Sequence, residues 1–214
     1  SREAFTYLGT HWAEQGYLVV FLTHKGSDRE VVQTRGMRAL AGTEAFHLRP
    51  EDIHFVLDRI LSDDPGSPLI RGRVDPDRLA VAGQCAGATT AFATTGLRVN
   101  LPGDPNATFE DPRFRCVIAL SPQPGASRSS ASEFGLDARS WELIGRPALV
   151  VTGTRDFQWM RAVRQDPRMV RRPFDGLPPG DKYLVEIVGA EHNAFTDSVP
   201  YYPARAVSYT QLTL

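Results

Sequence analysis

The chain is poor in cysteine, has no long apolar run and carries no surplus of either charge, and each shortage removes a class of function. Two cysteines in 214 residues do not make a disulfide framework. Nor are they placed to pair. Cys85 follows one predicted strand and Cys116 opens the next, so in a parallel sheet they stand at opposite ends, beyond the roughly 4.4–6.8 Å Cα reach of a disulfide. No apolar stretch approaches the ~20 residues needed to span a bilayer, so no membrane span is expected. The start, Ser1-Arg2-Glu3, lacks the basic-then-apolar pattern of a secretory signal, and with no initiator Met the compartment stays open. Twenty-four basic against twenty-five acidic side chains leave a net charge of −1, too little to draw the protein onto nucleic acid or anionic lipid. The expected partner is a small, non-polyanionic molecule. There is no internal repeat, metal-ligand cluster or phosphate-cradling glycine loop, so neither a metal nor another cofactor is expected.

What is present reads as an α/β chain. With 42% hydrophobic residues, a chain of this size buries about 70% of its unfolded surface as one compact unit, so a single domain over 1–214 is expected. Short β-branched apolar runs at 18–23, 79–82, 116–120, 148–152 and 183–188 alternate with amphipathic segments at 3–15, 50–61 and 86–95, the pattern of parallel strands and crossover helices. Each strand runs into a turn or loop rich in Gly, Pro, Asp or His, so the polar chemistry should gather at the strands' C-terminal ends. Stretches 62–74 and 101–113 are rich in Pro, Gly and Asp and read as surface loops. Stretch 123–141, with Ser127, Ser129, Ser130 and Ser132, reads as a flexible loop in preference to a binding lid.

The most informative segment is Arg78 to Ala88, a strand followed by Gly83-Gln84-Cys85-Ala86-Gly87 and then the start of a helix. A GxCxG turn in strand-turn-helix context is a nucleophile elbow, whose tight turn calls for small residues at Gly83 and Gly87 so that helix and strand approach closely. Cys85 would project at a helix N-terminus, where the dipole favours thiolate. An elbow nucleophile needs an acid and then a histidine later in the chain. His192, in the loop after the last strand, supplies the base, because the other four histidines lie upstream of Cys85. Asp156 ends the turn after strand 148–152 and would orient the imidazole. Glu191 ranks second, and Ser121-Pro122-Gln123-Pro124 offers no acid after the strand before. Gln84, Phe157, Trp159 and Trp141 are candidates to line an acyl or alcohol site.

With these residues in place the chain resembles the bacterial predicted dienelactone hydrolases and the platelet-activating-factor acetylhydrolase-like α/β-hydrolases. The likeness runs from the first helix to about Asp197 and includes Gly16 to Val20, His24 to Asp28, Arg49 to Asp52, Asp75 to Arg78, the elbow, Ala119 to Pro122, Thr152 to Asp156, Pro178 to Tyr183 and His192. It implies the α/β-hydrolase fold and hydrolysis of carboxylic esters or lactones through an acyl-enzyme, without cofactor. Members similar to this chain mostly carry Ser at the elbow, whereas dienelactone hydrolases proper use Cys. In the family a strand and an HG-type loop precede the stretch that resembles 1–16, and that loop donates one oxyanion N–H. The expectation is therefore a chain lacking the N-terminal strands, a piece of a longer gene, with Ala86 as its one assignable oxyanion donor. By the same resemblance the lacking strand lies between 18–23 and 79–82, which must then either pair directly or flank a slot. Residues 207–214 replace an expected covering helix and read as a non-native end. Two further functions compete: acyl transfer through the same Cys85, and a noncatalytic binding module on the same fold.

Overall fold

The computed structural model describes residues 2–25, 43–64, 66–101, 103–125, 135–157, 160–197 and 209–213. The chain groups into two compact units, one of residues 1–76 and 196–203, the other of residues 77–195 and 204–214.

In the first unit a 3₁₀ turn, Arg2–Phe5, leads into helix α1, Thr6–Glu14, and a long helix α2, Thr43–Leu61, follows. The apolar stripe read at 50–61 is borne out in part: Ile53 and Leu57 are buried, while Ile60 is half-exposed. The helix starts earlier than expected and continues through Pro50. Asp197 ties back to the first turn, its N–H donating to the Ala4 carbonyl at 2.8 Å and its carboxylate accepting from Tyr7 N–H at 3.0 Å. The run at 18–23 is not a strand. Residues 17–24 belong to no ladder, and Tyr17, Leu18, Val20 and Phe21 are exposed.

The second unit is built on a five-stranded sheet. Its strands are β1 Leu79–Gln84, β4 Phe114–Leu120, β5 Ala148–Gly153, β6 Lys182–Val188 and β7 Tyr209–Thr213, in that spatial order. The first four are parallel and β7 runs antiparallel to β6, so a strand stands where the resemblance called for a covering helix. Helix α3, Ala86–Ala93, packs on β1 and β4. Two short helices, α4 Arg161–Gln165 and α5 Arg172–Asp175, lie between β5 and β6. The expected α/β architecture, a mostly parallel sheet flanked by helices, is thus present. Stretch 101–113 is not wholly loop: β2, Val99–Leu101, and β3, Asp104–Ala107, form a small antiparallel hairpin. The clustered serines at 127–132 lie outside the described residues.

Alternation sets the core. Val117, Ala119, Val150 and Leu184 are buried in the three central strands, as parallel strands covered by crossover helices require. Cys116 pairs with Ala80 near the start of β1, whereas Cys85 follows its end. The two cysteines therefore stand at opposite ends of the sheet, and both are free.

Candidate active site

Four loops leave the C-terminal ends of β1, β4, β5 and β6, and they carry Cys85, Ser121, Asp156 and His192. Among the described residues three non-glycines have positive φ: Cys85 at 55°, Ser121 at 49° and Phe157 at 51°. All three lie on these loops. Such conformations cost of order 1–3 kcal/mol each and persist only where surrounding structure over-determines them, so the strain is concentrated where the polar side chains converge.

Cys85 is the residue between strand and helix, with φ 55° and ψ −120°. Its N–H donates to the Leu120 carbonyl at 3.0 Å, and its carbonyl accepts from Ala88 and Thr89 N–H, which fixes the turn from both sides. Ala86 and Gly87 open α3, where helix geometry leaves N–H groups without an intrahelical acceptor. Gly83 is demanded by contact, since a Cβ there would stand 2.1 Å from the Gly87 carbonyl oxygen. Gly87 is different: a Cβ on it would meet nothing within 4 Å. The expectation that both glycines serve the close approach holds for Gly83 alone, because the helix meets the strand through Gly87's backbone.

Asp156 is completely buried, and its carboxylate is fully occupied. One oxygen accepts from Phe157 N–H at 2.8 Å and lies 2.8 Å from His192 Nδ1; the other accepts from Thr152 Oγ1 at 3.1 Å and from the Ser121 hydroxyl. Four donors on an acceptor-only group hold the charge in a site where an unpaired carboxylate would be neutralised. The loop bearing His192 is held against the Asp156 loop by backbone. Thr154 N–H reaches the Ile187 carbonyl at 3.1 Å, Arg155 N–H the Ala190 carbonyl at 3.1 Å, and Gly189 N–H the Thr154 hydroxyl at 2.9 Å. Gly153 permits this fit, for a Cβ there would lie 2.1 Å from the Ala190 oxygen.

His192 is thereby brought to both partners assigned to it. Burial, the largest single influence, pulls its pKa down. Hydrogen bonds with Asp156 and Cys85, and the charges of the same two groups, outweigh it and push the imidazole up to about 9. Glu191 is exposed, and the carboxylate at Nδ1 is that of Asp156. The Phe157 ring lies 4.5 Å from the imidazole, centroid to centroid, tilted by 56°.

Of the residues expected to line a substrate site, Gln84 and Phe157 both meet His192. Phe157 is buried with Val163, Met169 and Val170 and packs on the imidazole. Gln84 turns to His192, its Nε2 donating to the His192 carbonyl at 3.2 Å and lying 3.3 Å from His192 Nε2. Trp141 is buried in the core, and Trp159 lies outside the described residues. Ser121, which offers no acid in the sequence, is the residue that sequence reasoning misses, because its hydroxyl meets Asp156 and His192 only through the way β4, β5 and β6 end together. Among the described residues no group of three or more His, Cys, Asp or Glu is arranged to hold a metal ion, and no helix is long and apolar enough to cross a membrane. No protein-family model matches the chain, and no curated protein matches it.

Proposed function

We propose that the protein is an α/β-hydrolase that cleaves carboxylic esters or lactones through Cys85, with His192 as base and Asp156 as the orienting acid. One observation carries this reading: a cysteine strained at a strand-to-helix turn stands at the same sheet end as an imidazole that a buried carboxylate holds at 2.8 Å, and contributes with that carboxylate to raising the imidazole's pKa. A buried structural cysteine needs neither the strain nor the imidazole.

In the proposed reaction His192 Nε2 takes the Cys85 thiol proton, the sulfur attacks the ester carbonyl carbon, and the C=O electron pair moves onto oxygen. The resulting oxyanion faces the Ala86 N–H at the start of α3. Collapse breaks the C–O bond to the alcohol, which leaves with the proton from His192 Nε2, and a thioester remains on Cys85. His192 then takes a proton from water, the hydroxide attacks the thioester carbon, and the acid departs as the sulfur is released. Asp156 keeps its charge throughout and steadies the imidazolium. An alcohol or amine in place of water would make the same site an acyltransferase.

The test is a stopped-flow assay with p-nitrophenyl acetate. A burst of p-nitrophenol matching the enzyme concentration, absent in Cys85→Ala, is the expected result. An unchanged burst in Cys85→Ala removes this nucleophile. Absence of both the burst and selective iodoacetamide labelling of Cys85 over Cys116 points to a binding module instead.

A further inference from the structure

Ser121 is not ionisable, is completely buried, and ends β4 at φ 49° with its N–H held by the Val151 carbonyl at 2.6 Å. Its hydroxyl touches both members of the acid–base pair. It donates to the Asp156 oxygen that also accepts from Thr152, and it lies 2.9 Å from His192 Nδ1.

We propose that Ser121 is a positioning residue of this site, closing Asp156 and His192 into one hydrogen-bonded ring that fixes which imidazole nitrogen carries the proton. The inference rests on the triad reading above. It follows from proton counting. A hydroxyl has one hydrogen, and an ionised carboxylate can only accept, so the Ser121 hydrogen goes to Asp156. What Ser121 then presents to Nδ1 is a lone pair. Nδ1 faces two acceptors, the Ser121 oxygen and the other carboxylate oxygen, and a bare nitrogen there would confront lone pairs on both sides. The hydrogen is therefore fixed on Nδ1. Nε2, the nitrogen that must take and return protons during catalysis, is the one left to exchange. Three strand ends, β4, β5 and β6, thus act on one ring nitrogen, with Ser121 joining Phe157 N–H and Thr152 in holding the carboxylate that faces it. The charged groups acting on the imidazole are Asp156 and Cys85; Gln84, Phe157 and Ser121 meet it as neutral neighbours.

The experiment compares wild type, Ser121→Ala, Ser121→Gly and Asp156→Asn, each labelled with ¹⁵N-histidine, with His192→Gln assigning the signal. Ser121→Gly removes the hydroxyl while favouring the backbone, because glycine tolerates positive φ without strain, so its thermal midpoint should hold or rise. In both serine variants the His192 signal should titrate at lower pH than in wild type. The p-nitrophenyl acetate burst should slow about tenfold while KM stays within about twofold, the pattern for an interaction that matters in the transition state. A residue that only fills space would move neither the titration nor the kcat-to-KM balance. Unchanged His192 titration and burst rate in both serine variants, beside a large change in Asp156→Asn, would overturn the role of Ser121 and leave the triad standing. No change in Asp156→Asn either would remove both readings together.

Discussion

The two halves of the site are built to different standards. On the side of Asp156 and His192 the polar atoms are densely bonded: Asp156 has four hydrogen-bond partners, Phe157 lies tilted against the imidazole, and the loops bearing Asp156 and His192 are tied by three further hydrogen bonds. On the side of Cys85 the turn is pinned through the Cys85 backbone, yet a Cβ on Gly87 would meet nothing within 4 Å. The contrast matches the work proposed for each half. Proton positions must be settled before substrate arrives, since misplaced hydrogens cost orders of magnitude in rate. Where carbonyl carbon and oxyanion must fit, the protein has to leave room.

The largest effect should come from breaking the crowded half. Asp156→Asn replaces an acceptor-only group by one that can donate, inviting the wrong imidazole tautomer; in a serine enzyme the same change costs about 10⁴ in kcat. Stopped-flow acylation should fall by at least about 10²-fold, while circular dichroism shows the fold retained. A fall below about threefold would mean that the tight bonding around Asp156 is architecture alone.

Next in size is a packing effect on the open side. Gly83→Ala forces a methyl to within 2.1 Å of a backbone oxygen, and neither the helix nor the strand can yield cheaply. A stability loss of about 3 kcal/mol or more is expected in urea unfolding, at the upper end of what overpacking costs. Loss under about 1 kcal/mol would show that α3 can lift away from β1.

The same contrast decides what could be read from the sequence. The strained turn at Cys85 and the meeting of Asp156 with His192 were legible because a GxCxG strand-to-helix turn, a strand ending in a polar turn and a late histidine are local patterns. The four parallel strands were legible from short β-branched runs, each correct to within two residues at either end. The run at 18–23 has the same composition and is not a strand. A strand is completed by a neighbour's backbone, and no ladder forms along those residues, so propensity alone misleads there. Ser121 and the turn of Gln84 toward His192 were illegible for a related reason. Both depend on where other strands end in space, which no window of sequence contains. Gly87 was misread because a motif names two glycines without saying which one the packing needs.

A third prediction concerns pH and sharpens the view that the acid–base half is finished before substrate binds. The His192 pKa is pushed up to about 9 from an ordinary 6.5, so folding binds a proton that the unfolded chain releases as pH rises through about 6.5. The sign follows: the stabilisation is fully present below pH about 6.5 and is lost as pH rises through about 9, with a total on the order of 3 kcal/mol. Urea midpoints should therefore fall across this window, and His192→Gln should flatten the fall. In Cys85→Ala the fall should end at a lower pH, since one of the two groups raising the imidazole is gone. A wild-type midpoint that stays level from pH 6.5 to 9.5 would contradict the ion-paired arrangement.

The smallest expected effect tests the open half most sharply. Gly87→Ala adds a methyl where no atom lies within 4 Å, near the start of α3, and alanine is favoured over glycine within a helix by roughly 0.8–1.0 kcal/mol. Gly87 has no positive φ to protect, so the backbone can accept the change. Stability should rise by a few tenths of a kcal/mol to about 1 kcal/mol, opposite in sign to Gly83→Ala only four residues away in sequence. Catalysis should separate from stability here. A methyl beside Cys85 occupies space that the acyl group needs if substrate enters on that side, so the p-nitrophenyl acetate burst should change little while the butyrate and hexanoate esters lose rate progressively. If all three esters react as in wild type, the open space at Gly87 is not where the acyl chain lies. If Gly87→Ala instead unfolds the protein as Gly83→Ala does, the two glycines are equivalent after all, and the distinction drawn between the crowded and the open half fails at its most specific point.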